Sequence, residues 1–108
     1  MLRLLSHPNP PTAVFISSGH CIIGAMSAIG EKGLKIPDNI SLVGYDDIPL
    51  ASYISPPLTT VRQPIYKLGK RGAEELFNLI NVGGHKENKI EIILNRQLII
   101  RQSVKPFR

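Results

Sequence analysis

The chain has 108 residues, 43% of them hydrophobic, and a formal net charge of +5. That suffices for one ordinary core burying roughly 60 to 70% of the unfolded surface, and no apolar run approaches the ~18 residues a membrane span needs. Cys21 is the single cysteine, which excludes an internal disulfide, and Met1-Leu2-Arg3-Leu4-Leu5 is too short and too soon interrupted for a secretion signal, so the chain is expected in the cytoplasm.

Residues 1–5 read as the tail of a helix, so the chain is expected to begin inside an element of a longer protein. His7-Pro8-Asn9-Pro10-Pro11 is a rigid loop that cannot continue that helix. Ala13-Val14-Phe15-Ile16 is a continuous apolar run of strand length, as expected of a parallel strand covered on both faces. Ser17-Ser18-Gly19 turns the chain, with a serine placed to cap the helix predicted over residues 20–32. In that helix Ile22, Ala25, Met26 and Ile29 recur at spacings of three and four and form one apolar face.

Gly33 can take the left-handed conformation that ends the helix, and Pro37 stops it from resuming. Leu42 to Tyr45 then reads as a buried strand ending in Asp46 and Asp47, which places two carboxylates where open α/β sheets build their sites. Residues 48–54 form a short helical turn carrying apolar Leu50, Ala51, Tyr53 and Ile54. Residues 58–62 are a strand with β-branched Thr59, Thr60 and Val61, and Pro64 suits the first turn of a helix over residues 65–80. Leu68, Gly72, Leu76 and Leu79 or Ile80 mark the buried stripe of that helix, Gly69 and Gly72 allow close approach of a neighbour, and Gly83-Gly84 ends it. Ile90, Ile92 and Leu94 alternate with Glu91 and Ile93 as a further strand, and residues 97–100 form a last one before a basic tail ending in Arg108. Strands alternating with helices predict a parallel α/β sheet.

Charge is uneven along the chain. Residues 1–61 hold three Lys or Arg against four Asp or Glu, whereas residues 62–108 hold ten against four. A nucleic-acid surface would need those charges clustered on one face with a reading element. Lys70 with Glu74 and Arg71 with Glu75 instead have the spacing of helix pairs, so a solvated face is the simpler reading.

Two stretches carry a family resemblance: Gly33-Leu34-Lys35-Ile36-Pro37-Asp38-Asn39-Ile40-Ser41-Leu42-Val43-Gly44-Tyr45-Asp46-Asp47, and Pro56-Pro57-Leu58-Thr59-Thr60-Val61-Arg62-Gln63-Pro64. Together they resemble the LacI/GalR family of bacterial transcription regulators, closest to the ribose-, purine- and cytidine-type repressors. The resemblance runs from about Pro11 to Val104 and corresponds to roughly the last third of a full-length member. It implies the two-lobed, periplasmic-binding-protein-like (type I) sensor fold, present here as parts of both lobes. Residues 11–62 would belong to the carboxyl-terminal lobe, 63–88 to a helix packing in the amino-terminal lobe, and 89–108 to a crossover and last strand. An isolated copy is then expected to expose apolar surface and an unpaired strand edge.

The candidate effector site is Ser17, Ser18 and Gly19 with Gln63 and Asp46. A strand end followed by a helix start presents free backbone N–H groups and the positive end of a helix dipole, suited to an anionic or hydroxyl-rich ligand. In the resembled family the matching turn carries Asn-Asp, where this chain has Ser18 and Gly19. The missing acceptor implies a different effector, one carrying negative charge, or a site no longer used; a capped helix start without a ligand is the plain alternative. Gln63 matches the family's amide that reaches the effector, and an amide can both donate and accept. Asp46 and Asp47 either contact ligand or cap the backbone of their own turn. The resemblance places Leu50, Ala51, Tyr53 and Ile54 near a homodimer interface, with packing inside the chain as the alternative.

Catalysis is not expected. Ser17 or Ser18 with His20 pairs a nucleophile and base only on paper, because neighbours so close at a helix start point to different faces, and there is no Gly-x-Ser-x-Gly elbow. His7, His20, His85 and the Asp46-Asp47 pair lack metal-ligand spacing, and no phosphate loop or dinucleotide fingerprint is present, so no cofactor is expected. The resemblance implies an effector-sensing and dimerising segment of a repressor-type regulator, binding a sugar, nucleoside or anionic metabolite between two lobes. DNA contact would come only through an amino-terminal domain outside these residues. A fragment of a periplasmic-type solute-binding protein, or a non-functional remnant of a regulator gene, is the alternative.

Overall fold

A computed structural model describes residues 1–83 and 90–106. Its elements are α1 (Leu2–Leu5), β1 (Ala13–Ile16), α2 (Gly19–Glu31), β2 (Ser41–Tyr45), a 3-10 turn (Pro49–Ser52), β3 (Thr59–Arg62), α3 (Ile65–Asn81) and β4 (Gln97–Ile99). The chain divides into two units, one formed by Met1–Arg62 with the segment from Gln97 onward, the other by Gln63–Arg96.

The first unit is built on a sheet of order β1-β2-β3-β4. β1 and β2 are parallel with Ile16 beside Gly44, and β2 and β3 are parallel with Gly44 beside Thr60. β4 departs from the all-parallel expectation: it runs antiparallel to β3, with Arg62 beside Gln97. The register supplies the reason, since the chain leaves the sheet at the carboxyl end of β3 and re-enters at that same end. An immediate return can only run backwards.

α2 lies on one face of this sheet and lays Ile22, Ala25 and Ile29 against Ile16, Ile40, Leu42, Ala51 and Leu58. Each fully buried Leu or Ile in that cluster contributes about 1.5–3 kcal/mol. The helix comes so close that a Cβ on Gly44 would stand 2.6 Å from Leu58 Cδ2 and 2.9 Å from Ile22 Cδ1. It ends as its sequence requires. Gly33 takes φ +68, its N–H donates to Gly30 O, and Leu34 N–H donates to Ile29 O, the two bonds of a Schellman stop.

β1 differs from its expectation of cover on both faces. Ile16 is buried, but Ala13 and Phe15 are exposed, and the Phe15 ring meets only the edge of Tyr45, at 6.2 Å between centroids. Beyond β4 the chain folds back along β2 and β3, where Leu42 N–H donates to Ser103 O at 2.8 Å. The buried Ser103 hydroxyl accepts from Thr59 N–H at 2.8 Å and donates to Leu42 O at 2.6 Å.

The second unit holds α3 and residues 90–96. Arg71 pairs with Glu75 at 3.8 Å, as the charge spacing anticipated, and more closely with Glu74 at 3.0 Å, the residue expected to pair with Lys70. The predicted buried stripe is not buried: Leu68, Gly72, Leu76 and Ile80 are all exposed and Leu79 is half-buried. The helix is amphipathic, but the unit supplies too little apolar surface to cover it. Added Cβ atoms at Gly69 and Gly72 would meet nothing within 4 Å. The alternating residues 90–94 adopt no strand, and among the described residues of this unit no strand lies beside them to supply backbone partners. Together with α3 they wall an open hollow of about 460 Å³, lined by Leu68, Gly72, Leu79, Ile90, Ile92 and Leu94 among others. Gly83, at φ +77, ends α3, while Gly84, His85 and Arg108 lie outside the described residues.

Candidate functional site

Because β1, β2 and β3 are parallel and in register, their carboxyl ends open on one edge of the sheet. That edge gathers Ser17, Ser18 and the start of α2 from β1, Asp46 and Asp47 from β2, and Arg62 from β3. Ser17 and Ser18 are exposed and Gly19 is buried. Ser18 holds the N-cap position with extended backbone but makes no side-chain cap bond, contrary to expectation. Its hydroxyl therefore leaves the first N–H groups of α2 uncapped by a side chain.

Gly19 is packed, not merely small. A Cβ there would lie 2.8 Å from Ile48 Cγ2 and 3.2 Å from Ile48 Cδ1, so the Ile48 side chain already fills the space any larger residue would use. The sequence shows the absent acceptor at this position but not its replacement by an apolar side chain from the β2 turn.

Asp46 and Asp47 both have positive φ, 78° and 36°. Such backbone costs a non-glycine residue on the order of 1–2 kcal/mol and persists only where surrounding contacts impose it. Here they do. Asp46 N–H donates to Val61 O at 3.0 Å, and Asp47 N–H donates to Thr60 Oγ1 at 3.3 Å.

The Asp47 carboxylate, 6% exposed, is gripped from two sides. Arg62 donates to Oδ2 through Nε at 2.7 Å and through Nη2 at 2.6 Å. Arg101 Nη1 donates to Oδ1 at 2.7 Å and also to Leu58 O at 2.6 Å. Burial pushes the Asp47 carboxyl upward, but the hydrogen bonds and charges of Arg101 and Arg62 outweigh it and hold the group below its ordinary value of 3.8. The two alternatives drawn for Asp47 from sequence, ligand contact or cap of its own turn, both missed this role. Arg62 and Arg101 were not singled out; the available signal was a lone arginine directly after the apolar run Leu98-Ile99-Ile100.

The remaining candidates are distributed as follows. Gln63 opens the second unit and lines a hollow of about 400 Å³ there with Pro64, Leu68, Ile92 and Asn95. Ala51 is buried in the core of the first unit and Ile54 is half-buried against that core, whereas Leu50 is exposed and Tyr53 is 84% exposed. Among the described residues, no group of three or more His, Cys, Asp or Glu could hold a metal ion, and no helix is long and apolar enough to cross a membrane.

A mostly parallel sheet with one acidic turn and a helix start along its carboxyl edge is an α/β arrangement of the periplasmic-binding type. Residues 1–104 match the periplasmic binding protein-like domain, and the chain belongs to that family; the relatives it matches include LacI-type transcription regulators. A probable HTH-type transcriptional repressor ExuR of Bacillus subtilis (strain 168) is 49% identical over 97% of this chain and 31% of its own length. A putative transcriptional regulator LacI from Bacillus cereus subsp. cytotoxis matches with TM-score 0.88 and 30% identity, over 97% of this chain and 36% of its own. A LacI family regulator from Enterococcus faecalis V583 with bound ribose matches with TM-score 0.84 and 33% identity, over 98% and 38%. The chain thus spans about a third of the length of the relatives it matches.

Proposed function

We propose that this chain is an effector-sensing segment of a ligand-responsive, repressor-type transcription regulator, and that its first unit binds a small hydroxyl-rich molecule such as a sugar or nucleoside. The observation that carries the reading is the carboxyl edge of β1–β3, where Asp46 stands in an imposed left-handed turn beside the uncapped start of α2. A carboxylate and a helix start that no side chain caps, on one edge, suit the donor and acceptor faces of vicinal hydroxyls. A neutral polyol fits better than an anion, because Arg62, the arginine at this edge, is committed to Asp47. The ribose held by the Enterococcus faecalis relative supports the same chemistry. Gln63 is a further candidate contact, by family resemblance alone.

On this reading the segment performs no reaction, works in the cytoplasm, and belongs to a homodimer whose contact includes Leu50 and Tyr53. DNA is reached through residues outside this segment. Effector binding would shift a dimer between states of different DNA affinity, by no more than the effector's differential affinity for them. The test is calorimetric titration with D-ribose, adenosine and guanosine, on the parent and on Asp46→Asn. A polyol that binds and loses roughly tenfold or more in affinity with Asn supports the reading, since a hydrogen bond to a charged group carries about 1.5–3 kcal/mol. Equal binding by both proteins overturns it.

A further inference from the structure

We propose that Arg101 is the positioning residue for Asp46: it does not touch the ligand edge, but it fixes the turn that presents Asp46 there. This rests on the reading of Asp46 as an effector contact. Asp46 and Asp47 are consecutive non-glycine residues with positive φ, an arrangement the chain does not adopt without restraint. Two backbone bonds supply part of that restraint, to Val61 O and to the Thr60 hydroxyl, the latter at 3.3 Å. A further restraint comes through the Asp47 carboxylate and the two guanidinium groups that hold it.

The two arginines are not equal. Arg62 is 51% exposed, so its pair is weakened by solvent and salt, whereas Arg101 is 16% exposed. Arg101 is also tied at both ends. Its Nη1 bridges Asp47 Oδ1 and Leu58 O, and its backbone N–H donates to Thr59 Oγ1 at 2.9 Å. Its head is thus anchored to the start of β3 and cannot follow the turn if the turn moves. The result is a rigid strut from β3 to Asp47, from a residue 54 positions further along the chain.

The test is NMR on the full chain, reading the backbone couplings and α-carbon shifts of Asp46 and Asp47, which report left-handed φ, with D-ribose then added as the probe. Arg101→Met is expected to erase the left-handed signature at Asp46, raise the Asp47 titration midpoint, and leave core resonances such as Ile22 and Leu42 in place. Arg62→Met is expected to keep the signature. Persistence of the Asp46 signature in folded Arg101→Met overturns the proposal, as does its loss in Arg62→Met alone. Should Arg101→Met fail to fold, Arg101→Gln decides the matter, because its shorter, neutral side chain cannot bridge Asp47 Oδ1 and Leu58 O while Arg62 keeps its pair; persistence of the Asp46 signature there overturns the proposal. Ribose that moves the Asp46 resonances of the parent, with about tenfold weaker binding in Arg101→Met, supports positioning and effector contact together. If ribose moves nothing while Arg101→Met still releases the turn, positioning stands and the ribose reading falls.

Discussion

Replacing Gly19 with alanine adds one methyl group where Ile48 already sits, and the outcome measures how tightly the β2 turn is packed on the start of α2. The new Cβ would lie 2.8 Å from Ile48 Cγ2 and 3.2 Å from Cδ1, against the ~3.5–4.0 Å at which carbon atoms attract. Cγ2 sits on the branched Cβ of Ile48, so it swings away only by a χ1 change that carries Cγ1 and Cδ1 with it, and χ1 is stiff in a β-branched residue. Overpacking of this kind costs typically about 1–3 kcal/mol, and the better helix propensity of alanine returns at most about 1 kcal/mol, less in the first turn. Gly19→Ala should therefore destabilise the chain by about 1–2 kcal/mol. Ile48→Ala alone removes a half-buried side chain from the edge of the core and should cost about 1–2 kcal/mol. The double variant should be more stable than the sum of the two by on the order of 1 kcal/mol, because each change relieves the other. Urea unfolding followed by circular dichroism on all four proteins measures the cycle. Additivity within about 0.5 kcal/mol, or a stabilising Gly19→Ala, would refute the packing argument. The same logic says that Gly19→Asp places a carboxylate at this edge only when Ile48 is also shortened.

Three further outcomes follow from buried polar contacts and exposed apolar ones. Ser103→Ala removes the hydroxyl that serves both Thr59 N–H and Leu42 O inside the core, and should cost about 2–4 kcal/mol in the same urea assay. Asp47 has a folded pKa below its ordinary 3.8, so its pairing stabilises the chain fully above that value and is lost as pH falls through the depressed one. Stability measured between pH 6 and pH 3 should therefore fall, and Asp47→Asn should flatten that part of the fall that Asp47 causes; an unchanged slope would count against the ion pairs. Leu50→Ser with Tyr53→Ser should abolish dimerisation in sedimentation experiments while changing unfolding by less than about 0.5 kcal/mol each, since both side chains are exposed.

Much of the first unit was legible because its signals are local. β1 falls where its apolar run predicted it, α2 presents the face that its spacing drew, and Gly33 stops the helix by the geometry only an unhindered residue adopts easily. What failed were inferences that needed a partner the local sequence does not name. Alternation over residues 90–94 states which side chains would share a face, but a strand also needs backbone donors and acceptors beside it, and those are missing from the unit. The stripe on α3 likewise states that a face is apolar without stating what covers it. Ser18 illustrates the reverse case: its type and position both suit capping, yet the bond is not made.

The candidate site was half legible for the same reason. Asp46, Asp47 and the start of α2 could be placed at one sheet edge from strand order alone, because parallel strands put all their carboxyl ends together. The restraint on them could not, since it depends on residues 54 and 15 positions away. Asp47 looked like one of two equivalent acids, but two arginines hold its carboxylate, and on the proposed reading that is what sets Asp46 in place. A charge that holds another charge in place leaves no pattern in one stretch of sequence. It is written as an arginine after a strand, and it acquires meaning only when the chain returns antiparallel beside β3 and sets Arg101 against the turn.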